Sequence, residues 1–136
     1  METTTLDGKL RDWARGMTTT AAATELLIRA GYAGEHREWV HTEDPERPWI
    51  DFASIPDLIG GLSGGQQRVL RIASSLASDV PIRLGDEITG LDYPLASLVL
   101  AACAQASGYG DDVRFPELVG DDVKVVTKPA ILRWPA

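Results

Sequence analysis

The 136-residue chain predicts an α+β fold, mainly helical, with about five helices, a small hairpin around residues 38–52 and short C-terminal strands. Three observations carry that expectation. Before residue 108, apolar residues recur at helical spacing in several long stretches. Residues 37–52, REWVHTEDPERPWIDF, instead hold two short β-prone runs around a polar, proline-punctuated middle. The stretch 121–134, DDVKVVTKPAILRW, is rich in β-branched residues. Neither an internal repeat nor a low-complexity linker divides the chain, and its length suits one domain, 1–136.

Leu6, Leu10, Trp13 and Ala14 predict a first helix over about 4–15, ended by Gly16. Thr18 or Thr19 is the expected cap of a second, where Ala23, Leu26, Leu27 and Ala30 form one stripe and Gly31 closes the C-terminus. Trp39-Val40-His41 and Trp49-Ile50-Asp51-Phe52 are the arms of the expected hairpin or irregular loop. ASIPDLI can make a short helix with Pro56 in its first turn. A long helix follows over about 64–78, then DVPIRLG, which reads as extended. Asp92 caps a further helix over about 93–107, with Pro94 in its first turn and Gly108 past its end. Leu95, Leu98, Val99, Ala102 and Ala106 form its face, and Leu100 and Cys103 are apolar elsewhere, so a central, buried helix is expected. In the tail, Val123, Val125 and Val126, then Ile131, Leu132 and Trp134, predict two short strands or an extended arm.

Charge narrows the partners. The net charge is −7, and acids outnumber bases in each of the segments 1–48, 49–110 and 111–136. Phosphate neutralisation by basic residues dominates non-specific nucleic-acid affinity, so direct nucleic-acid binding is not expected. The helix–ARGMTT–helix at the N-terminus has the outline of a helix-turn-helix, but its second helix, TTAAATELLIRA, carries one Arg and one Glu. No apolar run is long enough to suggest a membrane span, and METTTLDGKLRDW does not read as a signal peptide. The lone cysteine, Cys103, cannot form an internal disulfide, and zinc-ligand spacings are missing. A cytoplasmic location is the expectation.

The motif that stands out is GGLSGGQQRVLRIASSLA at 60–77, followed by GDEITGLD at 85–92. Leu62-Ser63-Gly64-Gly65-Gln66 resembles the signature motif of ATP-binding-cassette (ABC) ATPases, and Asp86-Glu87 with Gly90-Leu91-Asp92 resembles that family's Walker B and D-loop. The resemblance implies that Ser63, Gly64 and Gly65 contact a γ-phosphate held by an opposite subunit. It also implies that Asp86 orients Mg²⁺ through water and that Glu87 is the general base. Phosphoryl transfer also needs the cradle G-x-x-x-x-G-K-[ST], and Lys9, Lys124 and Lys128 all lack it. Arg83 and Gly85 interrupt the apolar strand the family places before Asp-Glu, and the D-loop segment is one residue short. The resemblance covers residues 62–92 and does not predict an autonomous ATPase.

The same residues have a structural explanation. Ser63 followed three positions later by Gln66 is a capping box, and Val69, Ile72, Ala73 and Leu76 then form one stripe. Gln67, Arg68, Arg71, Ser74, Ser75 and Ser78 face elsewhere. A helix N-terminus with free amides can also hold a small anion or nucleotide phosphate, which makes Ser63, Gly64, Gly65 and Arg68 the candidate contacts. Through the longer pattern from Trp49 to Asp92 the chain as a whole, over most of its length after residue 38, resembles short uncharacterised actinobacterial proteins of chromosomes, plasmids and phages, a resemblance that implies no activity.

No catalytic residue, metal site or cofactor is expected. His36 and His41 flank Trp39 near Glu35, Glu38 and Glu43, but strand alternation would put them on opposite faces. Cys103 reads as core. Four tryptophans are many for this length, and Trp39 and Trp49 would form an aromatic interface patch if exposed together. The expected function is that of a small acidic binding or regulatory protein with a protein partner, its candidate interface Trp39, His41, Trp49, Arg68 and Arg71. One alternative is a degenerate ABC-like module that presents its signature motif to nucleotide bound by a partner. A second is an enzyme using Asp86 and Glu87.

Overall fold

A computed structural model describes residues 5–136, and it is an α+β fold, mainly helical. Its six α-helices are α1 (Leu6–Ala14), α2 (Thr18–Ala30), α3 (Ile55–Leu58), α4 (Gly64–Ala77), α5 (Leu84–Ile88) and α6 (Tyr93–Ala106). Two antiparallel hairpins complete it: β1 (Val40–His41) with β2 (Trp49–Ile50), and β3 (Val113–Val119) with β4 (Asp122–Lys128). The expected helix start at residue 4 lies outside the described residues.

Local chemistry sets most helix ends. Thr5 accepts from the Gly8 amide at 2.9 Å and caps α1. The Asp92 carboxylate accepts from the Leu95 amide at 2.9 Å and caps α6. In α2 the N-cap is Met17, without a side-chain cap, so neither Thr18 nor Thr19 has the expected role. Both lie exposed in the first turn of the helix, whose first bond runs from the Ala21 amide to the Met17 carbonyl at 2.7 Å.

The core gathers one face of each long helix. Leu10 from α1, Leu26 and Leu27 from α2, Ile55 from α3, Leu70 from α4 and Ile50 from β2 are fully buried. Burying such a side chain contributes about 1.5–3 kcal/mol. α2 is the central element and packs on α1, α4 and α6. β1 and β2 are only two residues each, yet Val40 and Ile50 pair across them and both point inward. Ser74 was expected on the outer face of α4 but is fully buried; its hydroxyl donates to the Leu70 carbonyl at 2.8 Å, which satisfies it inside the core.

Three expectations are corrected. α6 is not central: Val99, Ala101, Ala102 and Ala104 face inward, while Tyr93, Leu100 and Cys103 are exposed. Its composition is apolar all round, but α2 covers only one side, so Cys103 is not core. Extended structure does not persist through DVPIRLG, because α5 begins at Leu84. The C-terminal strands lie at 113–119 and 122–128, so Ile131, Leu132 and Trp134 belong to neither. Pro116 disguises the first strand in the sequence. A two-stranded ribbon has only edges, and there a proline is tolerated. Gly120, at φ 64, supplies the positive φ of a two-residue turn that the Val119↔Asp122 pair closes.

Candidate functional site

Two surfaces hold the residues singled out in the sequence. The first is the N-terminus of α4. Gln66 donates its amide to the Ser63 hydroxyl at 3.3 Å, and the Ser63 amide donates to the Gln66 side-chain oxygen at 3.0 Å, completing the capping box. Gln67 ties the preceding corner by donating to the Leu62 carbonyl at 3.0 Å.

Arg68 lies between the two motif-like segments. A Cβ added at Gly64 would stand 2.9 Å from an Arg68 Nη, and one at Gly90 would overlap the Arg68 Nε and Cζ. The glycines at these positions therefore leave room for an arginine side chain that crosses from α4 to the turn after α5. That packing ties Gly64 of one segment and Gly90 of the other to the same arginine side chain.

Arg71 is engaged in the same joint. Its Nε donates to both Glu87 carboxylate oxygens at 3.0 Å, and one Nη donates to the Gln67 side chain at 3.0 Å. Glu87 is thereby held against α4, while exposed Asp86 faces Arg83 at 3.5 Å. The two carboxylates do not converge on a common point. Among the described residues, no group of three or more His, Cys, Asp or Glu side chains is placed to hold a metal ion.

The second surface is the β1–β2 hairpin. Its register sets His41 opposite Trp49, and their rings stack with centroids 4.6 Å apart and planes 14° apart. Trp49 is 40% exposed. Trp39 does not join it: only 3% exposed, it donates its indole N–H to the Tyr32 carbonyl at 2.8 Å inside the core. One residue before β1, the Trp39 side chain turns inward, where the Tyr32 carbonyl just past the end of α2 is a partner for its N–H. His36 is also apart, its imidazole over Gly34.

Beside Trp49 lies an open cavity of about 220 Å³, walled mainly by Trp13, Met17, Trp49, Phe52 and Ala77. The walls come from α1, the α1–α2 turn, the hairpin, the turn after it and the end of α4, and only folding brings them together. Sequence reading missed Trp13 and Met17 as site residues, because no local pattern distinguishes a core-facing tryptophan from one at the rim of a cavity. Asp51 lines the cavity and lies 3.7 Å from His41, Glu43 lies 3.3 Å from His41, and largely exposed Glu46 lies 3.7 Å from Lys9.

A third feature joins α1, α2 and the C-terminal tail. Arg11 donates to both oxygens of Glu25 at 2.8 and 3.2 Å, and Arg29 donates to Glu25 at 2.7 Å. Arg29 also donates to the Pro135 carbonyl at 3.0 Å and lies over the Trp134 ring at 5.0 Å. Burial is the strongest single influence on Glu25 and opposes its ionisation. The hydrogen bonds and positive charges of Arg11 and Arg29 together outweigh it and hold the carboxyl below the usual glutamate range. The arginine of the second helix is thus used in holding the body together.

Comparison of the chain with known protein families, with curated proteins and with solved structures gives no match. Among the described residues, no helix is long and apolar enough to cross a membrane.

Proposed function

We propose that the protein is a binding or regulatory module that acts through protein–protein contact, with the Trp49–His41 stack and its neighbouring cavity as the recognition surface. The observation that carries this reading is a large, partly exposed aromatic side chain stacked on His41 at the mouth of an apolar cavity. Interface hot spots have this form: an aromatic anchor beside a pocket, encircled by polar groups that exclude water. The stack fixes the Trp49 rotamer before binding, so little side-chain entropy is left to lose.

The rim chooses the partner class. Residues 41–51 carry Glu43, Asp44, Glu46 and Asp51 against Arg47, with Lys9 of α1 3.7 Å from Glu46, and the whole chain is at −7. A basic partner surface offering one apolar side chain to the cavity complements both the charge and the shape. The nucleotide-presenting alternative has less support, because the capping box and the Arg68 side chain lying against Gly64 and Gly90 account for Ser63, Gly64 and Gly90 without a nucleotide.

Selection from a displayed peptide library on the immobilised protein tests the reading. The enriched peptides are expected to share one apolar residue flanked by Lys or Arg. Trp49→Ala is expected to weaken their binding about tenfold or more. A library that yields no such peptides, or peptides that bind Trp49→Ala as tightly, rejects it.

A further inference from the structure

The β3–β4 ribbon stands away from the helical body, and none of its residues belongs to the buried core. Leu118 and Val123 are each 70% exposed and Val125 is 61% exposed. An isolated two-stranded hairpin is marginal in water, and an added strand stabilises it. Each outer edge offers unpaired main-chain groups of the kind that recruit another strand.

The two edges differ. Gly120 occupies the first central position of the two-residue turn with positive φ, and Asp121 has no positive φ, the pattern of a type II′ turn. Such a turn closes on a hydrogen-bonded pair, here Val119 with Asp122. Alternation along the ladder then turns the N–H and C=O groups of Arg114, Pro116 and Leu118 outward on β3, and those of Val123, Val125 and Thr127 outward on β4. Pro116 has no N–H, so the β3 edge lacks a donor at its middle. The β4 edge is complete.

We propose that β4 is a self-association edge, and that a second copy of this chain pairs with it antiparallel about a two-fold axis at Val125. In that register Val125 faces its own copy, Val123 faces Thr127 and Asp122 faces Lys128. The outward groups meet in three hydrogen-bonded pairs, about six main-chain hydrogen bonds in all. The charges select the register. With Val125 on the axis, each end of the new ladder sets an acid against a base. Sliding it two residues one way sets Lys124 against Lys124, and sliding it two the other way sets Lys124 against Lys128, and like charges directly opposed destabilise a sheet. A slip of one residue puts inward-facing main-chain groups against outward ones. Between residues 113 and 128 there are three basic side chains (Arg114, Lys124, Lys128) and three acidic ones (Glu117, Asp121, Asp122), so the ribbon itself is neutral on a chain at −7. The pairing is isologous, as a two-fold dimer requires.

Sedimentation equilibrium of the full chain, with hydrogen exchange read residue by residue, tests this. The expected result is a concentration-dependent dimer in which the Val123, Val125 and Thr127 amides gain protection and those of Arg114 and Leu118 do not. Val125→Pro is expected to give monomer, since the ribbon already accepts Pro116 at the position paired with Val125. Asp122→Lys and Lys128→Asp are each expected to raise the dimer Kd about tenfold, and the double exchange to restore it. Four results overturn the proposal: a chain monomeric at millimolar concentration, a dimer that Val125→Pro leaves intact, a double exchange that does not restore pairing, and protection on β3 in place of β4.

Discussion

The two hairpins invert the usual association between strand length and stability. β1 and β2 are two residues each, but Val40 and Ile50 lie in the core with Trp39 beside them. β3 and β4 are seven residues each, with a complete ladder, and most of their side chains face solvent. The ladder supplies hydrogen bonds in both cases, and these replace bonds to water at small net gain. The hairpins differ in apolar burial, which is why the shorter one belongs to the body and the longer one projects from it.

The sharpest way to break this comparison is to remove apolar volume from the short hairpin. Ile50→Ala is expected to lower global stability by about 2–5 kcal/mol in urea unfolding, since Ile50 is 2% exposed and belongs to the core cluster. A loss below about 1 kcal/mol would mean that β2 is peripheral after all.

Acid gives an intermediate effect. The folded-state pKa of Glu25 is depressed, so its contribution is complete above the ordinary glutamate range and disappears as pH falls through the folded value. Urea midpoints measured down an acid series should therefore fall, and Glu25→Gln should flatten that limb. The same titration asks whether the ribbon, with its exposed charges, responds as the body does. An acid limb of equal slope in Glu25→Gln would remove the Arg11–Glu25–Arg29 clamp from the account.

The smallest effect is expected in the long hairpin. Leu118→Ser, at a position 70% exposed, should change global stability by no more than about 0.5 kcal/mol. A larger loss, measured at concentrations where the chain is monomeric, would show that the ribbon packs on the body in solution.

Individual residues show where sequence reading reached and where it stopped. Ser63 with Gln66, and Asp92, announce their helix starts, because a cap is a hydrogen bond between groups three residues apart. Trp49 and His41 were visible as candidates, and the hairpin register brings them together. Trp13 and Met17 were not, because a cavity wall assembled from separate segments has no local signature. Arg71 read as part of an outward arginine face, yet it is bound to Glu87, sixteen positions away. Pro116 hid a strand that exists because its missing donor points to solvent.

The α+β class, the main helices, the caps of α4 and α6, the net charge of −7 and the lack of a phosphate cradle were all legible in the sequence. All of these depend on composition or on groups within a few residues of one another. Tertiary structure alone decided that Trp39 is buried and Trp49 exposed, that α6 leaves Leu100 and Cys103 uncovered, and that Gly64 and Gly90 make way for Arg68. Burial is a relation between segments distant in the chain, and an apolar residue carries no mark of whether another element will cover it.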